Sequence, residues 1–507
     1  MRRTILVGWI LLAPFAALGS GCGDDDDTPQ TCDPAAPDCP DGQVCLNQAE
    51  GDPICQDVCD PAVVDSCGEG LTCDPVATGE YACFEPVYIA GRVFDISDDL
   101  GIANALVLAA NSSGEAVTDV AMTDADGNYE LQVPVTRDAS GVPVDGTFTL
   151  RVAADDYLPY PHGIRPSIPI DASGAGYVDG EYRLSNPTTD VALIPLPADQ
   201  LGLGSIEGNV AGDAPGGTLV IAECGDPPCP MGYADLSGDY AIFNVPDGDY
   251  TVRGYKAGLQ LEPVDVTMAG AALTGIDLLL SETPLSTISG SINIVNPGDG
   301  EASSVVLVPE SSFLQLSDSF VRGEVPPGLR DPGPGIAPNV NGAFTITDVP
   351  DGRYVVLAAF ENDFLVRDPD PSIAGTQILH LTVPDPTDNT NITIQDSFKV
   401  TGALVMFGPG ADGPEQVDPA ALTFVWEDDS SEDFYALVVY DAFGNEVWDA
   451  SNLPRVTGGG NVEVDYAGPA LTPGMYYQWR ATSHRDTGPI STTEDLLGVF
   501  FVPSSVQ

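Results

Sequence analysis

The chain contains few positive charges. Lysine and arginine together number 17, against 76 aspartate and glutamate residues, so that the formal net charge of the 507-residue chain is -59. A protein with this charge repels the phosphate groups of nucleic acids and anionic membrane surfaces. Nucleic-acid binding is therefore excluded as a function. We interpret the acidity as a solubilising surface, with the loading of Ca²⁺ as the alternative.

Histidine is rarer still. The three histidines, His162, His380 and His484, fall into three different domains as divided below. The sequence has no H-E-x-x-H, no G-x-S-x-G and no Walker loop, the motifs that would indicate a zinc protease, a serine hydrolase or a nucleotide-binding protein. We predict that the protein is not an enzyme and that it holds no metal or other cofactor.

Stretches with apolar residues at helical spacing are also lacking, whereas glycine (55 residues) and proline (45 residues) are frequent. This composition is typical of many short strands joined by turns. A chain of this length exceeds one hydrophobic core, and about 150 residues per domain suggests three to five domains. The predicted fold class is all-β, with tandem immunoglobulin-like or transthyretin-like β-sandwiches preceded by a small disulfide-rich module.

Residues 1–21 have the parts of an export signal, with an apolar run from Ile5 to Leu18 that is shorter than the roughly 20 residues needed to span a bilayer. Cys22 follows directly and begins an acidic tether, residues 22–31. This arrangement resembles the lipobox of bacterial lipoproteins, with Gly19 where that family usually has leucine. The resemblance implies a lipid on Cys22 and attachment to the cell envelope, at the outer membrane, on its periplasmic face or at the cell surface. Ordinary secretion is the alternative.

Ten cysteines remain after Cys22, and eight of them lie in residues 32–85 with a repeated spacing. Successive cysteines are separated by six, five and nine residues in the first unit and by seven, five and nine in the second. Such a short polar segment cannot fold on its own apolar surface, so we predict four disulfides, with three possible connectivities in each unit. The spacing resembles EGF-like or Dickkopf-like modules. The first unit contains Cys32, Cys39, Cys45 and Cys55, and the second contains Cys59, Cys67, Cys73 and Cys83.

One longer motif occurs three times. It stands as DLSGDYAIFNVPDGDYTVRGY from Asp235 to Tyr255, again from Asn339 to Phe360, and in looser form from Asp124 to Val135. Each copy reads as turn, strand, turn, strand, with an Asp/Asn-x-x-Gly opening and, in the first two, a reversal at Pro-Asp-Gly. Three imperfect copies indicate a tandem array of one small β-domain. We expect the aromatic residues that lead the strands to lie in the core, Tyr240 and Tyr250 among them.

The repeats also share an opening strand with a central glycine, at Gly91, Gly208 and Gly290. Together with the T-D-x-D-G-x-Y turn at Thr123 to Tyr129, these openings resemble the carboxypeptidase regulatory-like domain. The resemblance implies seven-stranded, transthyretin-like β-sandwiches that perform no chemistry themselves. The three sandwiches are placed at residues 86–198, 203–281 and 286–398.

Two local motifs could be taken for sites. Cys224 and Cys229 bracket four residues in the second repeat, and we predict that they form a local disulfide. The sequence D-A-D-G-N begins at Asp124, but an EF-hand loop would need glycine and glutamate where this chain has Tyr129 and Val135. We interpret the acidic residues as turn formers, with Ca²⁺ binding as the alternative.

Residues 399–503 form a different domain. The strand that carries Trp426 and the later segment L-T-P-G-M-Y-Y, which ends at Tyr477, resemble the fibronectin type III fold. The resemblance implies that Trp426 lies in the core between the two sheets and that Tyr477 forms a tyrosine corner.

Taken together, the sequence predicts a non-catalytic, lipid-anchored envelope protein, attached to a membrane through its lipid, whose rod of β-sandwiches binds an unknown protein or polysaccharide. The alternatives are a carbohydrate-binding accessory lipoprotein, which would need an exposed strip of Trp and Tyr, and a Ca²⁺-stabilised spacer. We expect ligand contacts to come from segments that differ among the repeats, namely Cys224 to Cys229 and Val325 to Pro338.

Overall fold

The computed structural model describes residues 31–504, so that the predicted export signal and Cys22 lie outside the described residues. Within the described residues there is no α-helix, and no helix that is long and apolar enough to cross a membrane. The positions that are not described inside this range are 33–38, 41, 47–52, 61–65, 69, 78, 112–113, 139, 163–164, 179, 296–302, 316–320, 334–339, 341, 361–362, 367–378, 386–389, 396–397, 402, 430, 458, 487 and 495.

The cysteine-rich segment forms two hairpins, one in each unit. The hairpin registers place Cys45 opposite Cys55 and Cys73 opposite Cys83. Each of these cysteines bonds to a cysteine outside its hairpin, so that the first is joined to the third and the second to the fourth in both units. The disulfides are Cys32–Cys45, Cys39–Cys55, Cys59–Cys73 and Cys67–Cys83. The strands are β1 (Gln43–Leu46), β2 (Ile54–Asp57), β3 (Thr72–Pro75) and β4 (Tyr81–Phe84).

Sandwich 1 follows directly, and its two main sheets have the strand orders β13-β14-β5-β15, with β8 also paired to β5, and β12-β11-β6-β7. A 3-10 helix, Ala172–Gly174, follows β12. The strands are β5 (Val87–Asp95), β6 (Leu106–Ala110), β7 (Ala121–Met122), β8 (Asn128–Val133), β9 (Thr136–Arg137), β10 (Pro143–Asp145), β11 (Thr147–Ala153), β12 (Ile170–Asp171), β13 (Gly176–Val178), β14 (Glu181–Leu184) and β15 (Val191–Leu193).

A buried ion pair joins the second cysteine unit to sandwich 1. Arg137 Nη2 lies 2.7 Å from Asp74 Oδ2, and both side chains are fully buried. The guanidinium also donates to the carbonyl oxygens of Gly141 and Glu85, and it packs over the ring of Phe84. The second cysteine unit is therefore docked on the sandwich.

Sandwich 2 has the sheets β16-β19 and β18-β17-β20-β21. The repeated motif forms β19 and β20, which are joined at Pro-Asp-Gly as the sequence predicts. The strands are β16 (Gly204–Asn209), β17 (Leu219–Glu223), β18 (Met231–Tyr233), β19 (Asp239–Val245), β20 (Gly248–Tyr255) and β21 (Val264–Met268).

Sandwich 3 repeats this arrangement, with β22 paired to the motif strand β27 and to β31 and β32, opposite the sheet β26-β23-β28-β29. The last strand, β32, runs past residue 398, where the sequence places the end of this domain, because it pairs in parallel with Ile292 to Val295. A 3-10 helix, Glu310–Ser312, follows β23. The strands are β22 (Ser286–Val295), β23 (Ser303–Pro309), β24 (Leu314–Gln315), β25 (Val321–Arg322), β26 (Arg330–Asp331), β27 (Ala343–Val349), β28 (Gly352–Phe360), β29 (Asp363–Val366), β30 (Leu379–Val383), β31 (Asn391–Thr393) and β32 (Phe398–Thr401).

The central glycine of the opening strand has a physical reason. In sandwich 2 a Cβ atom on Gly208 would lie 1.9 Å from the carbonyl oxygen of Ile276, so that no larger residue fits there. The hydroxyl of Tyr240, the aromatic that leads the motif strand, donates to the same carbonyl at 2.6 Å. The glycine and the tyrosine therefore act together. The glycine leaves room for the returning chain to cross the opening strand, and the tyrosine hydroxyl holds that chain by a hydrogen bond.

The same contact between glycine, aromatic residue and returning chain recurs in sandwich 1, whereas in sandwich 3 the aromatic residue differs. A Cβ atom on Gly91 would lie 2.0 Å from the carbonyl oxygen of Thr189, which accepts from the hydroxyl of Tyr129. In sandwich 3 the aromatic is Phe344, and its ring lies against the space where a side chain on Gly290 would stand. Phenylalanine has no hydroxyl to donate, so the third copy keeps the packing without the bond.

The aspartates that open the turns use their carboxylates to accept hydrogen bonds from backbone N–H groups of the same turns. Asp124 Oδ1 accepts the backbone N–H groups of Asp126 at 2.9 Å and Asn128 at 2.8 Å. Asp235 and Asp441 accept equivalent pairs of backbone hydrogen bonds. These bonds, with those from Asn128 foremost, lower the pKa of the Asp124 carboxyl. The geometry is that of turn formers.

Sandwich 4 has the sheets β33-β35-β38 and β34-β41-β39-β36-β37, with β40 also paired to β39. Trp426 is fully buried, and Tyr477 is buried with its hydroxyl accepting the N–H of Thr472. A 3-10 helix, Pro419–Ala421, precedes β35. The strands are β33 (Met406–Gly408), β34 (Glu415–Gln416), β35 (Thr423–Glu427), β36 (Phe434–Asp441), β37 (Glu446–Pro454), β38 (Asn461–Asp465), β39 (Tyr476–Arg485), β40 (Gly488–Thr492) and β41 (Val499–Phe501).

The sandwiches do not form the rod that the sequence suggested. Sandwiches 2 and 3 share one hydrophobic cluster, in which the rings of Tyr255 and Tyr354 meet edge to face at 5.7 Å. Sandwich 1 contacts sandwich 4 as well, where Arg165 Nη2 donates to the carbonyl oxygen of Phe443 at 2.6 Å. Since sandwich 1 also touches sandwiches 2 and 3, it lies at the centre of a cluster.

Candidate functional site

A cavity of about 660 Å³ lies where sandwiches 1, 2 and 3 meet, and it is partly open to solvent. Strands β6 and β11 of sandwich 1 form one wall, and β18 and β19 of sandwich 2 form the opposite wall. Sandwich 3 contributes Leu314 and Glu324, from either end of the β24–β25 hairpin. The segments 157–162 and 228–233 also line the cavity, together with Leu196, Gln200 and Leu203. This volume falls within the range of small-molecule sites, about 300–1,000 Å³.

Apolar residues stand on both faces of the wall strands. Val107 and Ile242 are fully buried in the cores of their own sandwiches. Because side chains alternate between the faces of a strand, Leu106, Ala153 and Ala241 project from the outer faces, where they line the cavity. An outer face would carry polar residues if it met only water, so these positions indicate a surface that is covered.

A charged network closes one side of the cavity. Arg151 Nε lies 3.0 Å from Glu324 Oε2, which also accepts the hydroxyl of Tyr233 at 2.7 Å. Burial and the neighbouring Glu324 raise the pKa of the Tyr233 phenol well above its ordinary value, so that it remains a donor. The three residues come from three different sandwiches, and the network therefore fixes the sandwiches around the cavity.

A second ion pair ties sandwich 1 to sandwich 3. Arg330 Nε lies 2.7 Å from Glu115 Oε2, and both side chains are almost fully buried. Glu115 Oε1 accepts the N–H of Gly328 at 2.7 Å. Val325, from the same segment, is fully buried. The sequence suggested that Val325 to Pro338 contacts a ligand; its described residues instead form an interface inside the chain, because they supply the partner for a buried carboxylate.

Asn244 joins sandwiches 1 and 2. It stands in the left-handed backbone region with φ of 56°, which asparagine adopts more readily than most residues. Its side-chain amide donates to the carbonyl oxygens of Ala154 at 3.0 Å and Tyr157 at 2.8 Å, and its Oδ1 accepts the N–H of Asp156 at 2.8 Å. Asn244, the residue before Val-Pro-Asp-Gly, thus connects sandwiches 1 and 2 by three hydrogen bonds.

The cysteine pair of sandwich 2 borders the cavity. Cys224 and Cys229 are joined by a disulfide, and both line the cavity. Cys229 is buried, and its N–H donates to the carbonyl oxygen of Ser311 in sandwich 3 at 2.8 Å. The loop that was expected to distinguish this repeat by its ligand contacts therefore also takes part in the packing of sandwich 2 on sandwich 3.

The structure places the three histidines in separate sandwiches. His162 borders the cavity, His380 Nδ1 lies 2.7 Å from Glu310 Oε1 in sandwich 3, and His484 stacks on Phe434 in sandwich 4. Burial lowers the pKa of His484. Among the described residues, the groups that could hold a metal are two triplets of cysteines, and all six sulfurs are held in disulfides.

No family model and no curated protein matches this sequence. Among solved structures, the Bacillus anthracis TIE protein aligns over 79% of this chain and 67% of its own, at 10% identity and a TM-score of 0.14. Two B repeat units of the collagen-binding protein of Staphylococcus aureus align over 81% and 99%, at 13% identity and a TM-score of 0.16. BcpA, the major pilin subunit of Bacillus cereus, aligns over 62% and 99%, at 10% identity and a TM-score of 0.15. These likenesses carry no argument about this chain.

Sequence reasoning missed the cavity, although a signal was present. The strand L-V-L-A-A, Leu106 to Ala110, is apolar at every position, and proline recurs in the segments 159–161 and 227–230. The interpretation of Tyr250 also needs correction. It is half-buried at the edge of the core, where it lines the cavity, whereas Tyr240 is buried as predicted.

Proposed function

We propose that the chain is a non-catalytic, lipid-anchored protein of the bacterial cell envelope that holds a cluster of β-sandwiches rigid for binding another protein. The observation that carries the proposal is the joining of sandwiches 1 and 3 by two ion pairs, one of them buried, and of sandwich 2 to both through the hydrogen bonds of Tyr233 and Asn244. We infer that these pairs favour one arrangement of the sandwiches, because separating them would leave the buried carboxylate of Glu115 and the guanidinium of Arg330 unpaired. A rigid arrangement lowers the entropy cost of binding a large partner.

A protein ligand is favoured over a polysaccharide. Flat aromatic side chains at the surface would be needed for sugar rings, and the described tryptophans do not supply them. Trp426 and Trp479 are fully buried, and Trp448 packs against Phe424 and Tyr466. The acidic turns satisfy their own backbone groups, which leaves the variable loops as the surface that can select a partner.

The anchor is tested by labelling cells with radioactive palmitate. We expect label in the parent chain and none in Cys22→Ser, which should move from the membrane pellet to the soluble fraction. Absence of label in the parent would contradict the anchor.

Binding is tested separately with the fluorescently labelled Cys22→Ser chain on intact cells of the producing organism. We expect saturable binding that is lost after protease treatment of the cells and kept after periodate oxidation of their glycans; the reverse pattern would favour the polysaccharide alternative.

A further inference from the structure

We propose that the cavity between sandwiches 1, 2 and 3 is a binding site for one uncharged molecule made mainly of hydrocarbon, such as an aliphatic chain or a small aromatic compound. This inference is independent of the anchor and of any protein partner. It rests on the volume of the cavity, on the pairing of its polar groups and on its charge.

The walls offer apolar surface from both sides. Leu106 and Leu108 of sandwich 1 face the cavity, as do Phe243 and Met231 of sandwich 2. Water in such a space gains few hydrogen bonds, and an apolar ligand that replaces it is stabilised by the removal of apolar surface from water. The cavity is therefore better filled by hydrocarbon than by solvent.

Several of the polar side chains at the wall are engaged with other parts of the protein. The hydroxyl of Tyr157 donates to Asp95 at 3.0 Å, and that of Tyr250 donates to the carbonyl oxygen of Pro246 at 3.0 Å. The side chain of Asn244 makes the three hydrogen bonds to sandwich 1 described above. A sugar would have to bury many hydroxyl groups against side chains whose hydrogen bonds are already made, which is unfavourable. The pairing therefore selects against polyhydroxylated ligands.

Charge selects against an anionic ligand. Arg151 is matched by Glu324 at 3.0 Å, so that no net positive charge results from this pair. Asp226 adds a negative charge at the cavity, and the chain as a whole carries a formal charge of -59. An anionic amphiphile such as a fatty acid would meet a repulsive potential, and a neutral molecule would not.

The test uses the full mature chain with Cys22→Ser and the neutral fluorescent probe N-phenyl-1-naphthylamine. We expect a saturable rise in fluorescence with one probe per chain. Dodecanol should displace the probe, dodecanoate should do so at least tenfold less well, and maltohexaose should not compete. Displacement by a short-chain phosphatidylcholine held below its critical micelle concentration, where no bilayer takes up the probe, would identify a lipid chain as the source of the hydrocarbon, and displacement by dodecanol alone would indicate a free molecule.

Two variants fill the cavity from opposite walls, Ala153→Trp and Ala241→Trp. Each should weaken probe binding about tenfold or more, because the indole occupies space that the probe needs. The matched control is Ala272→Trp, at an exposed position outside the cavity, which should bind the probe as the parent does. Circular dichroism verifies that each variant is folded. Absence of saturable binding in the parent, or equal binding by the control and both folded cavity variants, would overturn the proposal.

Discussion

Replacement of Glu115 by glutamine should loosen sandwich 1 from sandwich 3. The carboxylate accepts from Arg330 Nε at 2.7 Å, from the N–H of Gly328 at 2.7 Å and from Asn111 Nδ2 at 3.2 Å. Glutamine keeps the size and the oxygen that faces Gly328, but it leaves the buried guanidinium without its opposite charge. Breaking a buried pair in this way costs roughly 3–5 kcal/mol. At 1.4 kcal/mol for each factor of ten, docking should weaken by roughly a hundredfold or more.

The assay is hydrogen exchange of the Gly328 amide, combined with small-angle X-ray scattering of the whole chain. We expect faster exchange and a larger radius of gyration in Glu115→Gln. The matched control is Glu130→Gln, which removes one of the two carboxylates paired with Arg183, in an ion pair that is about 40% exposed, and should cost less than about 1 kcal/mol. If the two variants exchange and scatter alike, the buried pair does not hold the sandwiches together and the reasoning is wrong.

Three further results are expected. Tyr240→Phe should lower the free energy of unfolding by about 1–3 kcal/mol, because the carbonyl of Ile276 loses its donor, whereas Tyr250→Phe, whose hydroxyl is exposed, should change urea denaturation little. Gly208→Ala should prevent sandwich 2 from folding normally, since the new Cβ would lie 1.9 Å from a carbonyl oxygen, and Gly225→Ala, with open space around it, should not; proteolysis of the folded chain separates the two. Mass spectrometry of unreduced peptides should find first-to-third and second-to-fourth pairing in both cysteine units; any other pairing would contradict the hairpin geometry.

Local features of the fold were predictable because short-range chemistry determines them. The turn at Asp235 and the reversal before Tyr250 follow from the backbone preferences of aspartate, proline and glycine. The burial of Trp426 and Tyr477, by contrast, is what the resemblance to the fibronectin type III fold implies, and both side chains are buried in the structure. The choice among three disulfide connectivities did not follow, because it depends on the register of each hairpin and on where the preceding loop returns.

The arrangement of the sandwiches could not be predicted from the sequence. Repeats joined by short connections suggested a rod, because each repeat can bury its own core. The clustering depends on pairs that are far apart in the chain, such as Arg151 with Glu324 and Glu115 with Arg330, and an isolated charged residue does not identify its partner. The apolar outer faces of β6 and β19 contained the relevant information, but an all-apolar strand is equally compatible with a deeper core of its own sandwich.

The Asp74–Arg137 pair has a mechanical consequence. A pull on the N-terminal end of the described chain passes through the cross-linked hairpins, which the disulfides prevent from unravelling, and reaches β5 at Val87. The pair lies beside this route and is sealed from water, so it resists peeling of the last hairpin away from sandwich 1. A pull on the chain therefore has to break the docking of the second cysteine unit before it can separate that unit from sandwich 1.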